Sequence, residues 1–310
     1  ALADGYPEVR TQALAALQRL AEPASPALQE AASAIARGDW RRVVEAGTAA
    51  SELLTMVLRD PETHQEAVRQ KLGALGALAE IADPTTIDAL GQVLGAGDPR
   101  LQAAAARTLG QVGRHGEAER CRQLLLPLLT APAPGCRAAA LTALAALGGE
   151  AVRPLLRQAL DDGQAEVRVA AVAALGLQGQ QALGELRQAL ASTDAEVRRV
   201  AAQQLGELGD PEAIDPLVER LADNHRTVAE AAREALRRLG WQPVGWRAQR
   251  TDPGYVFWTS RSFWLQGNPA ASQQELLLGA LGAPDAARRR NAAEALGELG
   301  LTVAKPELRP

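Results

Sequence analysis

Val197-Arg198-Arg199-Val200-Ala201-Ala202-Gln203-Gln204-Leu205-Gly206-Glu207-Leu208-Gly209-Asp210-Pro211 is the stretch that decides the fold. Its apolar residues recur at spacings of three and four, which predicts a helix with one buried stripe. Gly209 suits the left-handed residue that ends a helix, and Asp210-Pro211 suits the start of the next one. The same series returns at Val167-Arg168 with Ala171, Leu175, Gly176 and Gly179, and at Leu101-Gln102 with Ala105, Ala106, Leu109, Gly110, Val112 and Gly113. The punctuation returns too, at Ala82-Asp83-Pro84 and Gly97-Asp98-Pro99.

Weaker copies centre on Arg10, Lys71, Arg137, Ala229 and Arg289. Successive anchors from Lys71 to Ala229 are 31, 35, 31, 30 and 31 residues apart. A fixed period of about 31 is the mark of a repeat array, and the chain has room for about ten units. Two intervals, Arg10 to Lys71 and Ala229 to Arg289, are double length. Each leaves space for one irregular unit, at about residues 21–60 and 241–272. Arg37-Gly38-Asp39-Trp40 and Arg261-Ser262-Phe263-Trp264 both read Arg-x-x-Trp, so these two units look related.

Two helices are readable within a unit. Residues 212–221 carry Ile214, Leu217, Val218 and Leu221, and residues 227–239 carry Val228, Ala232, Ala235, Leu236 and Leu239. The glycine after the key leucine (Gly110, Gly176, Gly206, Gly297) lies inside a helix, where it costs roughly 1 kcal/mol against alanine. Close approach of a neighbouring helix is the expected return. Ala and Leu dominate the apolar residues, and both lose little side-chain freedom in a helix. The expectation is one all-α array over residues 1–310, an α-α superhelix of two-helix units.

The formal net charge is −4 with acids and bases interspersed. A protein that tracks a phosphate backbone usually carries a basic excess, so nucleic acid is an unfavoured partner. Cys121 and Cys136 are the two cysteines and form neither a disulfide framework nor a Cys-x-x-Cys zinc pair. No long charge-free apolar run spans a membrane, and no signal peptide opens the chain. A cytoplasmic location is the default expectation. The first residue is Ala rather than Met, so processing or excision from a larger multidomain chain is expected.

These residues resemble the short HEAT-like repeats named after phycobilisome lyases, of bacterial type. The match is Asp-Pro, a first helix ending in Leu-x-x-x-Leu, then Val-Arg-x-x-Ala-x-x-Ala-Leu-Gly-x-Leu-Gly, and it covers most of the chain. Leu239-Gly240-Trp241-Gln242-Pro243 and Gly38-Asp39-Trp40 also resemble irregular linking units of such proteins. The resemblance implies an α-solenoid that serves as a scaffold, a bilin lyase or chaperone-like subunit, or the sensor arm of a larger signalling ATPase. DNA binding or repair, as in HEAT-like alkylpurine glycosylases, would want a basic groove.

No catalytic, cofactor or metal site is expected. His64, His115 and His225 each sit near a turn, and none is next to Glu as in the His-Glu dyads of HEAT-fold di-iron hydroxylases. A metal needs three or four converging ligands. No phosphate-binding loop or nucleophile elbow is present. Cys136 stands where other units place Val, so it reads as core rather than as a nucleophile. The repeat arginines Arg10, Arg168 and Arg198 read either as a phosphate ladder or, preferably, as structural forks. Asp4, Asp162 and Asp194, four or six residues upstream, are the expected carboxylate partners.

The expected function is non-enzymatic binding of a protein or peptide. In arrays of this kind the second helices line the concave face. Their outward positions here are Ala138, Thr142, Ala146, Val169, Ala173 and Leu177, flanked by Arg107, Arg199, Gln203, Glu207, Glu230 and Arg238. A small apolar centre with a polar rim suits a helix or peptide. Residues 241–264 hold Trp241, Trp246, Tyr255, Phe257, Trp258, Phe263 and Trp264, with Arg247, Arg250 and Arg261 interleaved. This cluster reads as packing in an irregular unit, as a partner hot spot or as a stacking platform.

Overall fold

The computed structural model describes residues 26–61, 63–149, 151–241, 247–250, 256–259 and 277–298. The chain divides into two compact units, Ala1–Ala174 and Leu175–Pro310. In the first unit α1 (Pro26–Arg37), α2 (Trp40–Glu45) and α3 (Ser51–Arg59) precede the regular series. Then follow α4 (Gln65–Ile81), α5 (Ile87–Leu94), α6 (Pro99–Val112), α7 (Ala118–Leu125), α8 (Pro134–Leu147), α9 (Val152–Ala159) and α10 (Ala165–Leu177), which runs across the boundary. The second unit holds α11 (Leu183–Ala189), α12 (Ala195–Leu208), α13 (Ile214–Leu221), α14 (Arg226–Arg238), a helical stretch at 277–281 and α15 (Ala286–Glu298).

Short first helices alternate with longer second helices. Each pair packs internally, as α5 on α6 and α13 on α14, and second helices stack on second helices, as α4 on α6, α6 on α8, and α12 on α14. The expected stripe Ile214, Leu217, Val218 and Leu221 is buried on α13. Asp-Pro opens a single 3-10 turn before α5 and α13, at Pro84–Thr86 and Pro211–Ala213, and opens α6 directly at Asp98-Pro99. Aspartate caps these starts. Asp83 accepts from the Thr85 N–H at 3.0 Å, Asp98 from Arg100 at 2.8 Å and Asp210 from Glu212 at 3.1 Å. Each satisfies a backbone donor that the first turn leaves open.

The in-helix glycines explain the tight stacking. A Cβ added at Gly110 would lie 2.8 Å from the Ala143 Cα, and one at Gly206 would lie 2.6 Å from the Ala235 Cα. Backbone therefore meets backbone, and no side chain fits between.

A two-stranded antiparallel hairpin, β1 (Arg247–Arg250) and β2 (Val256–Thr259), is an addition that helical periodicity did not reveal. Its register pairs Ala248 with Trp258 and Gln249 with Phe257. Val256, Phe257 and Trp258 favour extended backbone.

Candidate functional site

The repeat arginines come first, because they decide whether a phosphate ladder exists. Arg198 lies in the first turn of α12 with its side chain 7% exposed, against 3% for Asp223. Its Nε and Nη2 donate to the two Asp223 carboxylate oxygens, each at 2.8 Å. Nη1 donates to the Ser192 and Thr193 carbonyls at 2.8 and 3.1 Å, and Nη2 also reaches the Asn224 Oδ1 at 3.2 Å. A guanidinium has five N–H donors, and all five are engaged. Arg137 repeats the arrangement. It forks onto Asp162 at 2.9 and 2.8 Å and donates to the Ala131 and Pro132 carbonyls. Arg168 reaches the Asp162 carbonyl, and Arg289 the Ala283 and Pro284 carbonyls.

Each of these arginines clasps the turn five or six residues before it. In Arg137 and Arg198 the clasp also ties that turn to the next repeat. The upstream carboxylates proposed from sequence are corrected. Asp194 caps the Glu196 N–H at 2.9 Å, while Asp162 gives Arg168 only its carbonyl and keeps its carboxylate for Arg137. The carboxylate partner stands 25 residues downstream of its arginine. Arg10 and Asp4 lie outside the described residues.

Electrostatics follow the geometry. Burial opposes ionisation of Asp223, but hydrogen bonds from Arg198 and from the His225 N–H hold its carboxyl below the ordinary 3.8. The Arg137 fork does the same for Asp162, against the cost of burial. Groups with depressed native values contribute stability that is complete above their unfolded values and is lost as pH falls through the folded ones. The urea midpoint is therefore expected to stay level from neutral pH to about pH 5 and to drop below about pH 4, and Asp223→Asn should flatten that drop. A midpoint that declines already between about pH 7 and pH 5 contradicts this assignment.

Other chemistry-bearing residues are structural in their placement. Cys121 and Cys136 are fully buried, and burial pushes both thiols up. The Cys136 Sγ donates to the Pro99 carbonyl oxygen at 3.3 Å. Among the described residues no three His, Cys, Asp or Glu side chains gather as a metal site. No described helix is long and apolar enough to cross a membrane.

The second-helix candidates fall on one face of each helix. In the first unit Arg107 and Thr142 are exposed, and Val169 and Ala173 are half-buried. Thr142 donates back to the Ala138 carbonyl at 3.0 Å. Ala138 itself is buried, at 9% exposure, where an outward position was expected. Small residues let α6 close on α8, as at Gly110 and Ala143, and that approach covers it. In the second unit Leu177 stands 60% exposed at the end of α10. Arg199 donates to Glu196 at 2.9 Å and to Gln203 at 2.8 Å, joining two of the candidates. Arg238 reaches Glu234 at 3.0 Å on its own helix and Glu207 at 3.5 Å on α12. Phe257 and Trp258 lie on β2. Trp246, Tyr255 and Phe263 lie outside the described residues.

Helical hairpins in series, second helix stacked on second helix and turns clasped by a repeated Arg, define an all-α repeat protein. Residues 113–176 and 154–237 match the sequence profile of the HEAT repeats, so that part of the chain is built of HEAT repeats. No curated protein matches it significantly. Among solved structures, an engineered protein is 20% identical with a TM-score of 0.45, over 94% of this chain and 79% of that one. The CpcE–CpcF complex of phycocyanin lyase from Nostoc is 21% identical with a TM-score of 0.45, over 76% of this chain and 94% of that one. Human deoxyhypusine hydroxylase, in complex with glycerol, is 20% identical with a TM-score of 0.33, over 95% and 98%.

Proposed function

We propose that this chain is a non-enzymatic scaffold that holds a protein or peptide along the exposed face of its second helices, the concave side in arrays of this kind. One contrast carries the reading. The repeat arginines are spent on structure, as in Arg137 and the fully engaged Arg198. The second-helix face meanwhile leaves Leu177 60% exposed, four residues from Ala173 on the same helix turn line. Apolar surface set among polar positions is the composition of an interface centre with its rim.

Two pairs of substitutions test it. Val169→Ala with Leu177→Ala removes apolar contact, and Arg199→Glu with Arg238→Glu reverses rim charge. Against the partner captured by cross-linking through position 177, each pair should weaken binding by about tenfold or more, with helical circular dichroism unchanged. Unchanged affinity in both pairs removes this face as the site.

A further inference from the structure

The irregular unit at the start of the described chain makes a groove against α4. Trp40 opens α2, and its indole occupies the space where any side chain at Gly73 of α4 would go. Beside it lies a groove of about 530 Å³. Trp40, Arg41, Val44 and Glu45 line it from α2, and Gly76, Ala77 and Glu80 line it from α4. Gly76 and Glu80 occupy on α4 the repeat positions that Arg107 and Gln111 occupy on α6. The groove thus belongs to the second-helix face.

Its charge is acidic where it is unspent. Among the described residues Glu80 has no ion pair or hydrogen bond. Glu45 pairs with Arg41 at 3.5 Å, but these side chains are 63% and 90% exposed, so that pair is weak and easily exchanged. An aromatic ring attracts a cation, and a guanidinium is the cation that stacks on indole while forking onto carboxylates. The small Gly76 and Ala77 leave room for its methylene stem.

We infer that the Trp40 groove receives an arginine side chain of the bound protein. The inference rests on the scaffold reading of the second-helix face and deepens it. The test is an NMR titration of the full chain with the peptide acetyl-Gly-Gly-Arg-Gly-Gly-amide. Its isosteric counterpart carries neutral citrulline in place of arginine. The Trp40 indole resonance is identified by its loss in Trp40→Phe. The arginine peptide should shift that resonance saturably, and both the citrulline peptide and Glu80→Gln should weaken binding by about fivefold. Gly76 is a helical position with nothing within 4 Å of an added Cβ, so Gly76→Leu should fill the groove and abolish the shift in a folded protein. Equal affinity for the two peptides, no saturable shift, or binding that survives Gly76→Leu overturns the inference. Such a failure alongside intact partner cross-linking through position 177 removes this groove alone. Failure of both removes the scaffold reading as well.

Discussion

Arg198→Ala should lower the unfolding free energy by about 3 kcal/mol, because it takes the forked counter-ion from buried Asp223 and leaves it the more distant Arg220, at 3.8 Å. It also leaves the Ser192 and Thr193 carbonyls without the donor that satisfies them. Lysine should recover less than half of the loss, since an ammonium cannot fork onto both carboxylate oxygens and reach the turn as well. Arg198→Met combined with Asp223→Leu should be milder than either single change, as removing both charges of a buried pair is often nearly neutral. A residual cost of about 1 kcal/mol should remain, from the lost cap on the His225 N–H. Urea unfolding of the parent, of Arg198→Ala, of Arg198→Lys, and of Arg198→Met and Asp223→Leu singly and together measures all of this. A double variant as damaged as the sum of the singles would mean that the two residues act independently.

The second large effect is a sign reversal between two glycines at the same repeat position. Alanine in a helix interior gains roughly 1 kcal/mol over glycine. At Gly206 that gain is overwhelmed. The new Cβ would lie 2.6 Å from the Ala235 Cα and 2.7 Å from its Cβ, so α12 and α14 must separate. Overpacking of this kind costs typically about 1–3 kcal/mol, and Gly206→Leu should cost more than Gly206→Ala. At Gly297 none of the described residues lies within 4 Å of an added Cβ, and Gly297→Ala should stabilise by up to about 1 kcal/mol. Thermal melts of the three variants decide it. If Gly206→Ala melts above the parent, close helix approach is not the reason for that glycine.

Much of the fold was legible because its signals are local. The 31-residue spacing, the Gly-Asp-Pro punctuation and the stripe on α13 each follow from one helix and its ends, and the close approach at Gly110 and Gly206 followed from a propensity cost that needed a return. The carboxylate partner of Arg198 was missed because it depends on how one repeat stacks on the next. Asp194 is nearer in sequence, but it caps the Glu196 N–H of its own repeat. The repeated interval from Arg137 to Asp162 and from Arg198 to Asp223 was the available signal. Ala138 was misplaced for a related reason, since small residues permit the approach that then buries them. The hairpin was hidden because four-residue strands carry little periodicity. Trp40 was noticed as an echo of Trp264, yet its seat against Gly73 lies across a helix contact that no motif reports.

The scaffold reading is tested most directly by photo-cross-linking. A benzophenone amino acid is placed singly at Thr142, Leu177 and Gln203 on the second-helix face, and at Gln158 and Gln188 on the exposed first-helix side. The account predicts that one and the same protein is captured from the first three positions in the native cell and from neither of the last two. Equal capture from both sides, or different proteins from each of the three positions, would contradict it.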